Sequence, residues 1–554
     1  MFRRRMKHTQ RFQEILNGFF KNGFSHFLFR IGLIERRHKK EENVNMNMKD
    51  IGMRLRKTFQ ELGPTFIKLG QIASSRRDLI PEEIATELEK LQDDVQSFSF
   101  SEVRSIMEAE LGDSLENLLE QVNETPLATA SIGQVHIAQT FAGEEVAIKI
   151  QRPDIQPTIE TDLEILHDLA RLLEDRFTWA RTYRIREMIE EFSYSLRDEL
   201  NYSVEGRNAE RIANQFRDDE TVHIPKIYWD LSTKKVLTME MIHGIKVTHI
   251  DTLDEKGYDR NVIAERITNA MFVQILENGF FHGDPHPGNI YIMPNNVIAF
   301  LDFGMVGRLS DELKYNFATL IIHLQRGNIK GMIKTFTSMG LIDGTTDRDS
   351  LYRDLEHLQA TYYDIALKDI SLGGVIAEIF SIAYAHEVQI PNDITILGKA
   401  ILTMEEIMKK LNPTFSIMKA VEPFGEKLMK ARFHPKNIAK ESLDQIMENA
   451  EILSELPKDM KDIASTVKKG KLHFDINVTD MQSFLKRLDR ISNRLSFSII
   501  LLSFSILMVG LIIGASISGQ TNLLFRIPVI EIGSVIATLM FLFMIFTIIR
   551  SGRM

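Results

Sequence analysis

The sequence predicts an α+β chain with a two-lobed body, preceded by a helical extension and followed by a pair of transmembrane helices. Three observations carry this. Short apolar runs of strand length surround Lys149 and flank the turn residues Pro294-Asn295-Asn296. Residues 310 to 450 read as mostly helical, with breaks at 340–344, Gly373-Gly374, Pro391 and Pro413. Two stretches nearly free of charge, Ser496 to Ser518 and Ile527 to Ile549, close the chain. Each is long enough to cross a hydrocarbon core of about 30 Å as a helix.

At 554 residues the chain exceeds one ordinary core, so one large body with appendages is expected. The absence of cysteine removes disulfides, thiolate metal sites and cysteine nucleophiles. A formal net charge of −9 gives no general attraction to nucleic acid. Against that balance, residues 1 to 40 hold eleven lysines and arginines and only Glu14 and Glu35 as acids. With phenylalanines at 19, 20, 24, 27 and 29, the segment reads as an amphipathic membrane-surface contact. A solvated basic tail and a mitochondrial presequence are the alternatives.

Next in order comes Ala128-Thr129-Ala130-Ser131-Ile132-Gly133-Gln134-Val135. It aligns with the phosphate loop G-x-G-x-x-G-x-V, with alanine at the first two glycines. The added Cβ atoms are expected to stiffen the loop and limit its approach to phosphates. Val146-Ala147-Ile148-Lys149 matches the buried strand whose lysine holds α and β phosphates. Between residues 197 and 211, a helix-compatible segment holds Glu199 and Glu205, and one of them should pair with Lys149. The choice is Glu205, with Glu199 in reserve.

The most informative stretch runs from His282 to Gly304. His282-Gly283-Asp284-Pro285-His286-Pro287-Gly288-Asn289 leads into two apolar runs around Pro294-Asn295-Asn296, then Asp302-Phe303-Gly304. A hairpin there brings Asn289 and Asp302 together as oxygen ligands for magnesium. Asp284, five residues before Asn289, has the spacing of a kinase catalytic base. Motifs in this order imply a protein-kinase-like two-lobed fold with ATP or ADP and Mg2+ as cofactors. Ser310-Asp311-Glu312 looks like a helix start soon after Gly304, leaving little activation segment, and no Ala-Pro-Glu motif follows.

At the C-terminal end, Lys486, Arg487, Arg490 and Arg494 precede the first apolar run and Arg550 and Arg553 follow the second. The connecting loop holds only Arg526, so both outer flanks are expected in the cytosol. Gly510 and Gly514 form a small-residue face for packing within the hairpin or for a homodimer.

From about residue 50 onward the chain resembles the UbiB family, also called AarF or ADCK, of atypical kinase-like proteins associated with quinone biosynthesis. The resemblance rests on Gly63-Pro64 through Pro81, where Lys68, Gly70 and Gln71 match the family's KxGQ motif. It implies that Lys68 and Gln71 sit on a helix covering the nucleotide site and hindering protein substrates. The family's alanine-rich loop falls on Ala128 to Ser131, and its ExD motif on Glu199-Leu200-Asn201, with asparagine for aspartate. It also leaves Glu199 to face Lys68.

The expected organisation is a basic segment (1–49), a helical extension (50–122), an N-lobe (123–246) and a helical C-lobe (247–457). A charged linker (458–495) and two transmembrane helices (496–549) follow. The expected function is a membrane-anchored ATPase or a phosphotransferase acting on a small molecule or lipid. A conventional protein kinase and a non-catalytic nucleotide-binding scaffold are its rivals. Expected partners are membrane lipids, isoprenoid quinone precursors, and a homodimer or membrane enzyme complex. The expected location is the cell membrane, with the mitochondrial inner membrane as the alternative.

Overall fold

The computed structural model describes residues 2–30, 47–91, 96–363 apart from 327, 340 and 343–346, and 371–432 apart from 387 and 389. Beyond these, only scattered positions between 495 and 539 are described. The chain divides into two units, Met1–Glu441 and Ser442–Met554. Both expected transmembrane runs lie mostly outside the described residues. Among the described residues, no helix is long and apolar enough to cross a membrane.

The first unit opens with α1 (Phe2–Lys21), α2 (Ser25–Arg30), α3 (Met48–Leu62), α4 (Pro64–Ser75) and α5 (Glu82–Leu88). Gly63 and Pro64 separate α3 from α4, the proline standing at the first helical position, where its missing N–H costs nothing. The apolar face of α1, expected at a membrane surface, packs instead on the body: Ile15 is buried, and Phe12 and Phe19 pack on the core. Phe20 and Phe29 remain exposed. Arg11 explains the docking. Its Nε and Nη2 donate to Asp162 at 2.7 and 3.0 Å, and Nη2 also donates to the Leu62 carbonyl at 2.6 Å.

The N-lobe contains α6 (Phe100–Leu111), α7 (Leu115–Leu118), β1 (Gln121–Val122), β2 (Ala128–Thr129), β3 (Gly133–Gln139) and β4 (Glu145–Gln151). It continues through α8 (Ile155–Arg176), α9 (Thr178–Thr182), α10 (Ile185–Glu199), α11 (Tyr202–Ala213), β5 (Val222–His223) and β6 (Val236–Glu240). The antiparallel sheet runs β1-β3-β4-β6, with β2 also on β3. Alternation along β4 sends Val146, Ile148 and Ile150 into a core shared with α6 and α7, and Lys149 to the other face. The segment read as one helix from 197 to 211 is two: α10 ends at Glu199 and α11 starts at Tyr202, with Asn201 non-helical between them.

Asp162 of α8 also accepts the Thr65 hydroxyl of α4 at 2.6 Å, so one fully buried carboxylate ties α1, α4 and α8 together. Asp162→Ala strands the Arg11 guanidinium and is expected to cost about 3 kcal/mol, read as a lowered denaturation midpoint. An unchanged midpoint would show that the cluster adds nothing to holding α4.

The C-lobe follows with β7 (Ile245–Lys246), α12 (Ile250–Glu255), α13 (Arg260–Phe272), β8 (Phe280–His282), β9 (Ile290–Met293), β10 (Val297–Phe300) and β11 (Val306–Arg308). The expected hairpin is β9-β10, paired from Ile290↔Phe300 to Met293↔Val297, and Asn295 and Asn296 turn it with positive φ. Among the described residues six helices follow: α14 (Asp311–Gln325), α15 (Ile329–Ser338), α16 (Arg348–Tyr363), α17 (Leu372–Ala385), α18 (Asn392–Leu411) and α19 (Ile417–Arg432). Gly373-Gly374 is not a break, as expected from sequence, but the first turn of α17. The Ser371 hydroxyl caps the Gly374 N–H, and the buried Glu405 carboxylate of α18 accepts the Gly373 N–H. An acceptor supplied by a distant helix satisfies the orphan donors there.

Candidate functional site

Lys149 leaves the sheet face opposite the α6 core and meets Glu205 in the first turn of α11, Nζ lying 2.9 and 2.8 Å from the two carboxylate oxygens. Both side chains are largely buried, and the ammonium stands 5.0 Å from the ring centroid of the buried Tyr202. Burial works against this ammonium, but the Glu205 and Asp302 carboxylates outweigh it and hold its pKa well above the ordinary value. Of the two acids, Glu205 is the partner of Lys149. Glu199, at the end of α10, takes Lys68 of α4 at 2.5 Å.

The loop between β2 and β3 turns inward. Ala128 and Thr129 pair with Val135 and Gln134, and the Ala130 N–H donates to the Gly133 carbonyl at 2.8 Å. Ser131 is fully buried and Ile132 joins the main core, so the tip is pinned. Gly133 is required by close approach: a Cβ there would lie 2.3 Å from the Tyr202 hydroxyl and 2.5 Å from the Ile150 carbonyl oxygen. Val135 sits across from Lys149 in the ladder.

On the opposite side, β9-β10 places its two ends together, and the Leu301 N–H donates to the Asn289 carbonyl at 2.8 Å. The Asn289 amide nitrogen donates to the Asp284 carbonyl at 3.3 Å, which turns the amide oxygen outward as an acceptor. Asp302 adopts φ 60°, a backbone that few residues other than glycine, asparagine and aspartate hold. Its carboxylate opens onto the cavity and accepts the Gly304 N–H at 3.2 Å. Lys149 holds its pKa below the usual carboxylate range, against the effect of its protein surroundings, and Lys68 adds to this. The next residue is anchored too, since the Asn208 amide of α11 donates to the Phe303 carbonyl at 3.0 Å.

His282, fully buried, orders the catalytic loop. Its Nε2–H donates to the Leu301 carbonyl at 2.9 Å, and its Nδ1 accepts the Asp284 N–H at 3.2 Å, which defines one neutral tautomer. Burial lowers its pKa, so the folded chain resists the proton that the unfolded chain accepts near pH 6.5. Stability is therefore expected to fall as pH drops below about 6.5, with up to about 1.4 kcal/mol per unit from this residue. Unfolding midpoints between pH 8 and 5 should show that slope, and His282→Gln should flatten it.

Asp284, Asn289 and Asp302 open onto a cavity of about 690 Å³. Lys68 and Gln71 of α4, Glu199, Asp284, Asn289 and Asp302 line it, whereas Lys149, Glu205, Ala128, Ala130, Ser131, Gly133 and Val135 do not. Gln71 also donates to the Leu91 carbonyl at 3.3 Å. Lys399 of α18 also lines it, outside the sequence reading, and pairs with Asp284 at 3.1 Å. No motif or spacing near 399 signals it.

Among the described residues no three acids or histidines gather to hold a metal by themselves. Asp302 and Asn289 fit a magnesium ion whose other ligands are phosphate oxygens and water, because such an ion takes few protein ligands. Paired lysine, catalytic loop and metal-binding loop, on two lobes, define an atypical kinase-like protein.

Comparison with known proteins agrees. Residues 90–336 match the ABC1 atypical kinase-like domain, 355–416 the UbiB helical domain, and 479–550 the ABC1/UbiB kinase-like C-terminal domain. An uncharacterised protein in the hydrogenase 1 5′ region of Clostridium pasteurianum is 33% identical over 90% of this chain and 93% of its own length. A probable protein kinase UbiB of Pseudomonas aeruginosa is 34% identical over 74% and 77%. The Arabidopsis thaliana chloroplastic protein ACTIVITY OF BC1 COMPLEX KINASE 7 is 31% identical over 81% of this chain and 62% of its own. A solved structure, Rv3197 of Mycobacterium tuberculosis with erythromycin, aligns with a TM-score of 0.48 and 22% identity, covering 68% of this chain and 96% of its own. The chain belongs to the UbiB family of atypical kinase-like proteins.

Proposed function

We propose that the chain is a magnesium-dependent ATPase or phosphotransferase with a small-molecule or lipid acceptor, tethered at a membrane by its C-terminal apolar runs. The observation that carries this is the convergence of Asp302, Asn289 and Asp284 on one cavity that α4 also lines, with the charge of the buried Lys149–Glu205 pair acting on Asp302. Lys149 would hold the α and β phosphate oxygens, and Asp302 and Asn289 would hold magnesium. That ion, when bound, would supply neutralisation of phosphate charge. Asp284 accepts a proton from a hydroxyl or water whose oxygen attacks the terminal phosphorus. The bond from that phosphorus to the bridging oxygen breaks, and its electron pair leaves with ADP.

A small acceptor is favoured because Lys68 and Gln71 of α4 line the same cavity as Asp284 and so take up room beside it. The name probable protein kinase, carried by relatives, makes a protein acceptor the second reading. The link to isoprenoid quinones rests on family membership. Phosphate release from ATP by the purified chain, with and without vesicles of anionic lipid, tests the proposal. Turnover that rises with vesicles supports a membrane enzyme, and Lys68→Ala shows whether α4 restrains it. Tight ATP binding without turnover in any condition would favour a scaffold instead, and label transferred to protein would favour the second reading.

A further inference from the structure

We propose that Lys399, brought to the site by the helical lobe, is a phosphate-contacting residue that leaves Asp284 for the terminal phosphate of a bound nucleoside triphosphate. This deepens the nucleotide-site reading above and rests on it.

The placement of Lys399 begins with helix packing. One side of α18 is apolar and buried through Leu397, Ala400, Ile401, Met404 and Met408. On its other side Lys399, Thr403 and Glu406 recur at helical spacing and line the cavity. Ile396, one turn before Lys399, presses on the catalytic loop at Gly283, where a Cβ would lie 2.7 Å from its Cγ2. Glycine at 283 therefore lets α18 come close enough for Lys399 to reach the next residue, Asp284. The Nζ lies 3.1 Å from Asp284 Oδ2 and 4.0 Å from the Met305 sulfur, with the side chain 23% exposed.

Charge balance shows what this lysine is for. The other cations of the site have acid partners away from the base: Lys149 with Glu205, Lys68 with Glu199, and Arg77 with Glu82 and Glu89. The catalytic loop itself carries no lysine or arginine from Gly283 to Asn289. Its His286 is exposed and spends Nδ1 on the Gly288 N–H at 3.2 Å. Charge developing on the terminal phosphate beside Asp284 therefore falls to Lys399. A lysine is suited to the exchange, since its ammonium is a compact charge on a flexible stem. Once Lys399 turns to the phosphate, the Asp284 carboxylate becomes available to the attacking hydroxyl. Arrival of the triphosphate and readiness of the base are thus linked through one side chain.

Calorimetric titration of the full chain with MgATP and with MgADP tests this, because ADP lacks the phosphate in question. Lys399→Ala is expected to weaken ATP binding about tenfold and leave ADP binding within about twofold. Lys399→Arg should restore most of the difference. Lys399→Gln, of similar length, repeats the comparison if alanine unseats α18. Parallel weakening of both nucleotides, or no change in either, would overturn the proposal and leave Lys399 as a support for Asp284 or for the helix. Failure of the unaltered chain to bind either nucleotide would instead overturn the nucleotide site itself, and this inference with it.

Discussion

Asp302→Asn is expected to lower phosphate release from ATP on the order of 10³-fold while leaving the fold intact. The reason lies in which property of Asp302 each function uses. Its backbone sits at φ 60°, a conformation asparagine adopts as readily as aspartate, so the main chain from Leu301 to Gly304 need not move. Lys149 and Lys68 keep Glu205 and Glu199 as partners. What disappears is the one anionic ligand in the expected magnesium pair, the carboxylate that Lys149 keeps ionised. The thermal midpoint without ligand should match that of the unaltered chain. The gain from saturating MgATP, about 2.7 kcal/mol at a hundred times the dissociation constant, should vanish. Turnover retained in this variant would show that the metal is not held at Asp302.

Glu205→Ala should have the largest effect on stability. It leaves the Lys149 ammonium buried against Tyr202 without its bidentate partner, and breaking a buried pair from one side costs about 3–5 kcal/mol. The nearest remaining attraction for Lys149 is Asp302, which already contributes to its raised pKa. A lysine drawn there competes with magnesium for the same carboxylate. Nucleotide binding should therefore weaken and require more magnesium, and the denaturation midpoint should fall. Glu205→Gln, which keeps an acceptor but not the charge, should lie between. A normal midpoint in the alanine variant would mean that the pair contributes nothing to the folded body.

Much of the site is legible because its chemistry is written in short spacings. Asp284 and Asn289 stand on one loop, and the short apolar runs on either side of Pro294-Asn295-Asn296 dictate a hairpin that returns the chain to Asp302. Lys149 lies on a strand whose apolar neighbours alternate into a core. The pairing of Glu205 with Lys149 and of Glu199 with Lys68 agrees with the sequence reading, yet periodicity alone left both acids open. The break at Leu200-Asn201 separates them onto two helices, and that break leaves no proline or glycine to announce it.

Other features needed the assembled body. An amphipathic α1 has the same pattern whether its apolar face meets lipid or protein; the reach of Arg11 to Asp162 decided for protein. The paired glycines at 373 and 374 read as a break until Glu405, far along the chain, caps the turn they form. Lys399 is one lysine among many until α18 lies across Gly283.

By itself, then, the sequence determined the strand of Lys149, the hairpin from Ile290 to Phe300, the residue types of the candidate nucleotide site and the resemblance to an atypical kinase-like class. Each depends on periodicity or spacing within a few tens of residues, where chain geometry leaves little choice. Tertiary structure alone decided what covers the amphipathic helix and which cation meets the base. Those outcomes depend on buried charges finding partners across long separations, and many pairings satisfy the local pattern while one satisfies the packing.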